Sequence, residues 1–400
     1  MCDMWLGHGG AVPPDAGTAR LLPGLLPADQ NQGISNTALD ERGIDRALQL
    51  AAQADYRTSP NPMVGAVVAD RHGNFVGEGF HRRAGEPHAE VLALQQAGDR
   101  ARGGTLYVNL EPCAHRGRTP PCSEAIIAAG IRRVSASMLD PDQRVRGRGV
   151  EALRAAGVDV DVGAEEERAL RLNEFFVKHR TTGLPFVTAK FAMSLDGKIA
   201  TRTGRSRWIS GAAAREHAHL LRHQHDAVLV GVGTVLADDP ELTSRLQNAR
   251  QPLRVVLDSN LRTPASARVL PALVATTAGG ELPGAELLRL PSDSAGRVDA
   301  RALLEELGRR DVLSVLVEGG AEIHAALLAA GLVDKVVAYI APIVIGGRAA
   351  AGPVAGLGVD EVEDALRLRD VEITAIGDDV LLSGYVHRDS QRDRTGRGGG

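Results

Sequence analysis

The chain has 400 residues, with 46 basic and 50 acidic side chains, a formal net charge of −4 and only 3% aromatics. That balance excludes a broad basic field or plentiful stacking platforms for nucleic acid, and no apolar run approaches the roughly 18 residues of a membrane span. The length favours two domains, each able to bury its own core, acting on a small molecule.

Residues 1–37 are rich in Gly, Pro and Ala and lack the basic start and unbroken apolar stretch of a signal peptide, so a disordered extension is expected. A helix over about 40–55 precedes strand-like runs at 63–69 and 75–81, joined through DRHG as a hairpin. A helix from about 88, a strand at 105–110, a helix at 122–130, a strand at 132–138 and an amphipathic helix with strand 158–162 follow. The polar stretch 164–182 reads as one helix ending before Gly183 and Pro185, which divides the chain into domains 38–182 and 183–388. Beyond it, strands at 186–194, 226–232, 253–259, 272–276 and 313–319 alternate with helices, notably 211–224, 299–309 and 321–330. Runs 335–345 and 379–387 read as closing strands, and residues 389–400 as a loose polar tail. The fold class is α/β twice over: a layered α/β/α domain, then an α/β domain with a mostly parallel sheet.

The first half carries a cluster with metal-ligand chemistry. His88 and Glu90 lie in PHAEV (87–91), Cys113 in EPC (111–113) and Cys122 in TPPC (119–122). One imidazole and two thiolates fill three corners of a zinc tetrahedron and leave the fourth for water, as a catalytic zinc requires. Glu90, two residues from His88, suits a proton shuttle rather than a ligand, the pattern of zinc deaminases. Taken singly these signals are weak, because HxE is common and reduced cysteines are often small buried apolar residues. A proline before each helical ligand, Pro87 and Pro121, places both at helix starts. Of the three cysteines, Cys2 lies in the tail, and the other two suit metal ligation in a reducing compartment better than a disulfide. A cytoplasmic enzyme is expected. Eight residues, AHRGRTPP, separate the two ligand cysteines and offer His115 and Arg118 to a polar or phosphorylated substrate. Asn61 can be read as a turn former and His81 as a surface histidine, but their motif context favours substrate contact for both.

The second half has no Rossmann fingerprint, since GVGTVL (231–236) fails at Leu236. Two strand-to-helix turns, GVGT (231–234) and EGGAE (318–322), allow close backbone approach and free N–H groups for a pyrophosphate. Each alone reads as a tight turn without a ligand.

PNPMVGAVV, GEGFHRRAGEPHAEV, NLEPCAHRGRTPPCSEAI and ASMLDPDQRVRGRG resemble the deaminase half of the bifunctional riboflavin-biosynthesis enzymes, over about residues 40–165. SLDGKIA, TGRSRWIS, GVGTVLADDPELTSR, RVVLDS and VEGGAEIHAALL resemble their reductase half, over about 184–388. The resemblance implies a cytidine-deaminase-like domain followed by a dihydrofolate-reductase-like domain. It implies zinc on His88, Cys113 and Cys122, Glu90 as proton shuttle, and Asn61, His81, His115 and Arg118 near the substrate. Ala114 departs from a small hydroxyl residue common in relatives.

For the reductase, the resemblance implies NADPH held by Lys190, Ala192, Trp208, Thr234, Asp238, Ser259 and the turn Gly320, Ala321, Glu322, Ile323, His324, Ala325 and Ala326. Substrate is implied near Ser206, Arg222, Leu242, Arg245 and Glu318, with Arg222 and Arg245 as a phosphate clamp. Asp238, Asp239, Lys190 and Glu318 stay open as proton donor. The implied substrate is a phosphoribosylaminopyrimidine, deaminated and then reduced from ribosyl to ribityl, by a homo-oligomer (dimer or tetramer). The competing readings are a nucleic-acid-editing deaminase, which the charge, the few aromatics and the second domain oppose, and a chain with one silent half serving as a binding module.

Overall fold

The structure is a computed structural model that describes residues 36–114 and 120–387. His115, Arg118 and the tails expected at 1–35 and 389–400 lie outside the described residues. Asn36 and Thr37, read as part of the extension, instead open the first helix.

The first domain runs α1 (Asn36–Ala52), β1 (Gly65–Ala69), β2 (Phe75–Phe80), α2 (Ala89–Ala97), β3 (Thr105–Val108), α3 (Cys122–Ala128), β4 (Arg133–Ala136), α4 (Arg148–Ala155), β5 (Asp159–Val162), α5 (Glu166–Leu172) and α6 (Glu174–Thr182). Its five-stranded sheet has the order β2-β1-β3-β4-β5, antiparallel around β1 and parallel from β3 to β5. β1, GAVVA, is buried along its whole length, as a strand covered on both faces must be. A Cβ on Gly65 would lie 2.1 Å from the Ala47 carbonyl of α1, and one on Gly77 2.1 Å from the Ala93 carbonyl of α2. Gly65 and Gly77 face opposite sides of the sheet by register, so the two helices cover opposite faces and complete the α/β/α layering.

The stretch expected as one helix over 164–182 breaks at Asn173, which leaves the helical region at φ −108°, ψ 25°. Its buried side chain brackets the backbone of Met63 instead, accepting from the Met63 N–H at 2.8 Å and donating to the carbonyl at 3.0 Å. Gly183, at φ 73°, then closes α6 in the left-handed conformation that favours glycine.

The second domain runs β6 (Phe186–Ser194), α7 (Ala212–Gln224), β7 (Ala227–Gly231), α8 (Val232–Asp238), β8 (Leu253–Leu257), β9 (Ala272–Thr276), β10 (Ala285–Arg289), α9 (Ala300–Arg309), β11 (Ser314–Gly319), α10 (Ala321–Ala329), β12 (Lys335–Ala341), β13 (Leu368–Ile376) and β14 (Asp379–Val386). Its nine-stranded sheet is ordered β10-β9-β8-β7-β11-β6-β12-β14-β13, parallel as far as β12 and antiparallel through the last two strands. β10 and β13 are strands that the sequence pattern did not reveal. The run read as a strand over 335–345 stops at Ala341. Apolar clusters lie on both faces of the sheet, one including Val187, Val315 and Leu304, the other Val228, Val256 and Leu316.

α6 is held from both sides. Asn173 ties its start to the first domain, while Lys178 pairs with Asp334 at 2.7 Å and His179 Nε2 donates to the Gly308 carbonyl at 2.9 Å in the second. His223 of α7 also meets Asp55 of the first domain at 2.7 Å.

Candidate active sites

In the first domain, three chain segments converge on one point. His88 caps the N-terminus of α2, Cys122 opens α3 after Pro120 and Pro121, and Cys113 stands on the loop leaving β3. His88 Nδ1 lies 3.2 Å from Cys122 Sγ and 3.7 Å from Cys113 Sγ, and the three ligand atoms all fall within 4.8 Å of one another. A tetrahedral zinc, with Zn–N of about 2.0 Å and Zn–S of about 2.3 Å, sets its N and S donors about 3.5 Å apart, so the residues present fit that ion. The thiols are tightly coupled: the hydrogen bond from Cys122 draws Cys113 down to about 4, and the same bond together with burial pushes Cys122 up. A cation bound between them would favour both sulfurs as thiolates. Glu90 is 3% exposed, and burial raises its carboxyl above the usual range, which favours its holding a proton.

Asn61 and His81 come together beside this cluster. His81 Nε2 accepts from the Asn61 amide at 3.1 Å, Nδ1 donates to the Pro87 carbonyl at 3.2 Å, and the ring packs edge-on to His88 at 5.4 Å. Burial lowers the His81 pKa, in keeping with a neutral ring that accepts at Nε2. The segment carrying Asn61 is fixed by two buried asparagines that sequence reasoning missed. Asn173 grips Met63, and Asn109 accepts from Gly65 N–H while donating to the Met63 carbonyl, each at 2.9 Å. Glu111 was also missed. It accepts from the N–H groups of Asp140, Gly147, Gly149 and Val150, capping α4 and fixing the loop before it. A Cβ on Gly149 would sit 1.8 Å from the Pro112 carbonyl, so only glycine allows α4 this close to the cysteine loop. Asn61, His81, His88, Glu90, Glu111 and Cys113 line a cleft of about 590 Å³ that also receives Arg144, Arg148 and Arg180.

In the second domain, Lys190 of β6 and Glu318 of β11 share a sheet face beneath α7. Arg222 forks onto Glu318 at 2.6 and 2.8 Å and donates to the Thr243 carbonyl at 3.1 Å, and Lys190 Nζ stands 3.7 Å from the same carboxylate. Burial pushes Glu318 up, but the Arg222 and Lys190 charges outweigh it and hold the carboxyl at about 2. The guanidinium read as half of a phosphate clamp is therefore engaged inside the protein. Arg245 is 63% exposed and pairs with Glu241 at 3.0 Å.

The two glycine turns lie side by side because β7 and β11 are neighbours. A Cβ on Gly231 would fall 2.6 Å from Ile323 Cδ1, and one on Gly319 would fall 3.3 Å from Thr234 Oγ1. Thr234, Gly320 and Ala321 thus gather at the C-terminal ends of two central strands. Ala192 lies half-buried on β6, Glu322 is exposed, and Ala325 and Ala326 continue α10. His324 is buried, with Nδ1 3.0 Å from the Pro353 carbonyl and Nε2 3.3 Å from that of Val317. Ser206 donates to Asp238 at 3.1 Å. Trp208 is 70% exposed, with the Arg215 guanidinium 4.6 Å from its ring. The Ser259 hydroxyl accepts from Val298 N–H at 3.0 Å. Leu242 packs into the apolar core at 2% exposure, so only its backbone can face a ligand.

Among the described residues no helix is long and apolar enough to cross a membrane. Residues 37–138 match the cytidine and deoxycytidylate deaminase zinc-binding region, and residues 185–382 match the RibD C-terminal domain. The chain is 43% identical to the riboflavin biosynthesis protein RibD of Aquifex aeolicus over 356 residues, covering 86% of this chain and 98% of that protein. It is likewise 43% identical to RibD of Escherichia coli over 362 residues, with the same shares covered. RibD of Acinetobacter baumannii superposes with a TM-score of 0.81 at 37% identity over 88% of this chain and 99% of that one. A diaminohydroxyphosphoribosylaminopyrimidine deaminase/5-amino-6-(5-phosphoribosylamino)uracil reductase of Thermotoga maritima gives 0.79 at 36% identity over 87% and 99%. With both domains matched in order along nearly the full length of these relatives, the chain belongs to the RibD family, the bifunctional deaminases and reductases of riboflavin biosynthesis.

Proposed function

We propose that the chain removes the 2-amino group of 2,5-diamino-6-(5-phosphoribosylamino)pyrimidin-4-one by hydrolysis and then reduces the ribosyl group of the product to ribityl. The observation that carries the first step is the convergence of His88, Cys113 and Cys122 beside the buried Glu90. Zinc held by these three residues supplies an activated water. Glu90 holds a proton at its carboxyl and hands it to the departing amino nitrogen, while Asn61 and His81 orient the ring.

In the second step NADPH supplies the hydride. Thr234 and the turn from Gly320 cradle the cofactor, and Glu318, held ionised by Arg222 and Lys190, orients the sugar. Asp238 and Asp239 are engaged elsewhere, accepting hydrogen bonds from the Ser206 hydroxyl and from Arg268 N–H respectively. Lys190, a cation on the same face, is the proton donor we assign.

A cytoplasmic location is supported by the free thiols Cys113 and Cys122, which a reducing compartment preserves. A dimer or tetramer is supported by the edge strand β13, which exposes Val371 and Ile373, and by exposed Val344, Leu357 and Val362 in the segment before it. Light scattering on the purified chain tests this, and a monomer at micromolar concentration overturns it.

Incubating the protein with the diaminopyrimidine phosphate, with and without NADPH, tests both steps by product mass. Without NADPH the substrate exchanges NH for oxygen, and with NADPH it gains two further hydrogens. Chelation of zinc stops ammonia release and leaves NADPH oxidation on supplied deaminated substrate intact. Unchanged substrate in the metal-replete assay would overturn the deaminase reading.

A further inference from the structure

Two guanidinium groups in the deaminase cleft are not taken up by hydrogen bonds. Arg148, the first residue of α4, and Arg180, near the end of α6, both line the cleft onto which His88, Glu90 and Cys113 open. Neither side chain takes part in a hydrogen bond or ion pair of the described residues, and Arg180 reaches Asp140 and Asp142 through its charge alone, which favours their ionised forms. Arg144, their neighbour, is taken up by Asp142, with contacts at 2.9 and 2.6 Å.

The carboxylates around them are largely satisfied. Glu111 accepts four backbone N–H groups, Asp142 is forked by Arg144, and Asp140 accepts from Asp142 N–H at 2.8 Å. Arg180 lies over the Phe176 ring, its guanidinium carbon 5.2 Å from the centroid, which steadies the plane and leaves its N–H edge open. α6 cannot drift from this position, because Asn173 fastens it to Met63 while Lys178 and His179 fasten it to the second domain.

We propose that Arg180, together with Arg148, is the phosphate fork of the deaminase cleft, so that the helix joining the two domains completes the first active site. The inference rests on the deaminase reading above and adds the residues that select a phosphorylated substrate. Two planar forks from different helices suit a phosphate dianion better than a neutral sugar.

The test uses the full chain with Arg180→Ala, Arg180→Lys and Arg148→Ala. Ammonia release is measured on the phosphorylated substrate and on its dephosphorylated ribosyl counterpart, alongside NADPH oxidation on deaminated substrate. Each alanine variant raises KM for the phosphorylated compound roughly 10- to 100-fold with kcat nearly unchanged, leaves the dephosphorylated compound unaffected, and Arg180→Lys recovers part of the loss. An unchanged KM overturns the proposal. A loss shared by both compounds or by NADPH oxidation, as a merely structural role would give, also overturns it. Wild-type protein that releases no ammonia from either compound overturns the deaminase reading and this inference with it.

Discussion

In the deaminase cleft, His88, Cys113 and Cys122 bring three ligand atoms within 4.8 Å of one another and the Arg148 and Arg180 guanidinium groups are not taken up by hydrogen bonds, whereas on the reductase face Arg222, Lys190 and Glu318 satisfy one another. The first site has donors waiting for a cation and forks waiting for an anion. The second is an electrostatically finished surface onto which cofactor and substrate dock. Charge geometry that exists before binding costs no reorganisation during reaction, which suits hydride transfer between two bound molecules. The deaminase instead draws its central charge from a metal, and its residues are arranged to receive it.

The sharpest way to break this contrast is to remove one proton carrier from each site. Glu90→Gln keeps the shape of the side chain but not its acidity, and ammonia release falls by about 10²–10⁴-fold while NADPH oxidation on deaminated substrate is retained. Lys190→Met gives the mirror image, with hydride transfer falling by a similar factor and ammonia release retained. Separate assays for ammonia and for NADPH absorbance read the two effects. A joint loss in a folded protein would mean that the sites are not independent.

The next effect is on stability. Glu318→Ala leaves Arg222 buried with only the Thr243 carbonyl to face, and loss of one partner from such a pair costs about 3–5 kcal/mol. Urea unfolding followed on the second domain measures it. The wild-type pair has a pH signature as well. A carboxyl whose folded pKa is depressed stabilises the fold above its ordinary pKa of 4.5, and this stability is lost as pH falls toward about 2. Acid unfolding of Glu318→Gln is therefore shallower than wild type across that window. Equal slopes would show that the triad carries no net stabilisation.

What the sequence displayed and what it hid follow the same division. His88, Glu90, Cys113 and Cys122 were legible because few chemistries use those residue types at helix starts, and β1, β7 and β9 because buried strands are continuous apolar runs. The supports were not. Asn109 and Asn173 act on Met63 across 46 and 110 positions, and nothing local marks an asparagine that will brace a distant backbone. The break in 164–182 escaped notice for that reason, since the side chain that ends the helix is engaged by another layer. Arg222 looked like a free phosphate ligand because Glu318, its partner 96 residues away, is invisible to spacing. β13 reads LRDVEITAI, an edge strand exposed along most of its length, and lacks the buried alternation that would announce it.

The smallest effect concerns Arg245. With Arg222 held by Glu318 and Thr243, Arg245 is the member of the expected clamp whose side chain reaches solvent, and its partner Glu241 is shared with Arg268. Exchanging that contact for a substrate phosphate disturbs nothing buried. The gain is that of an exposed pair, so Arg245→Ala raises the reductase KM about two- to fivefold and leaves kcat unchanged. Screening acts on exposed charges, so the wild-type KM climbs toward that of the variant as salt is added, and the two converge near 1 M. Steady-state NADPH oxidation across a salt series reads both trends. A fall in kcat would instead place Arg245 in contact with the reacting sugar, and the reductase would then resemble the deaminase in depending on a charge left open for its ligand.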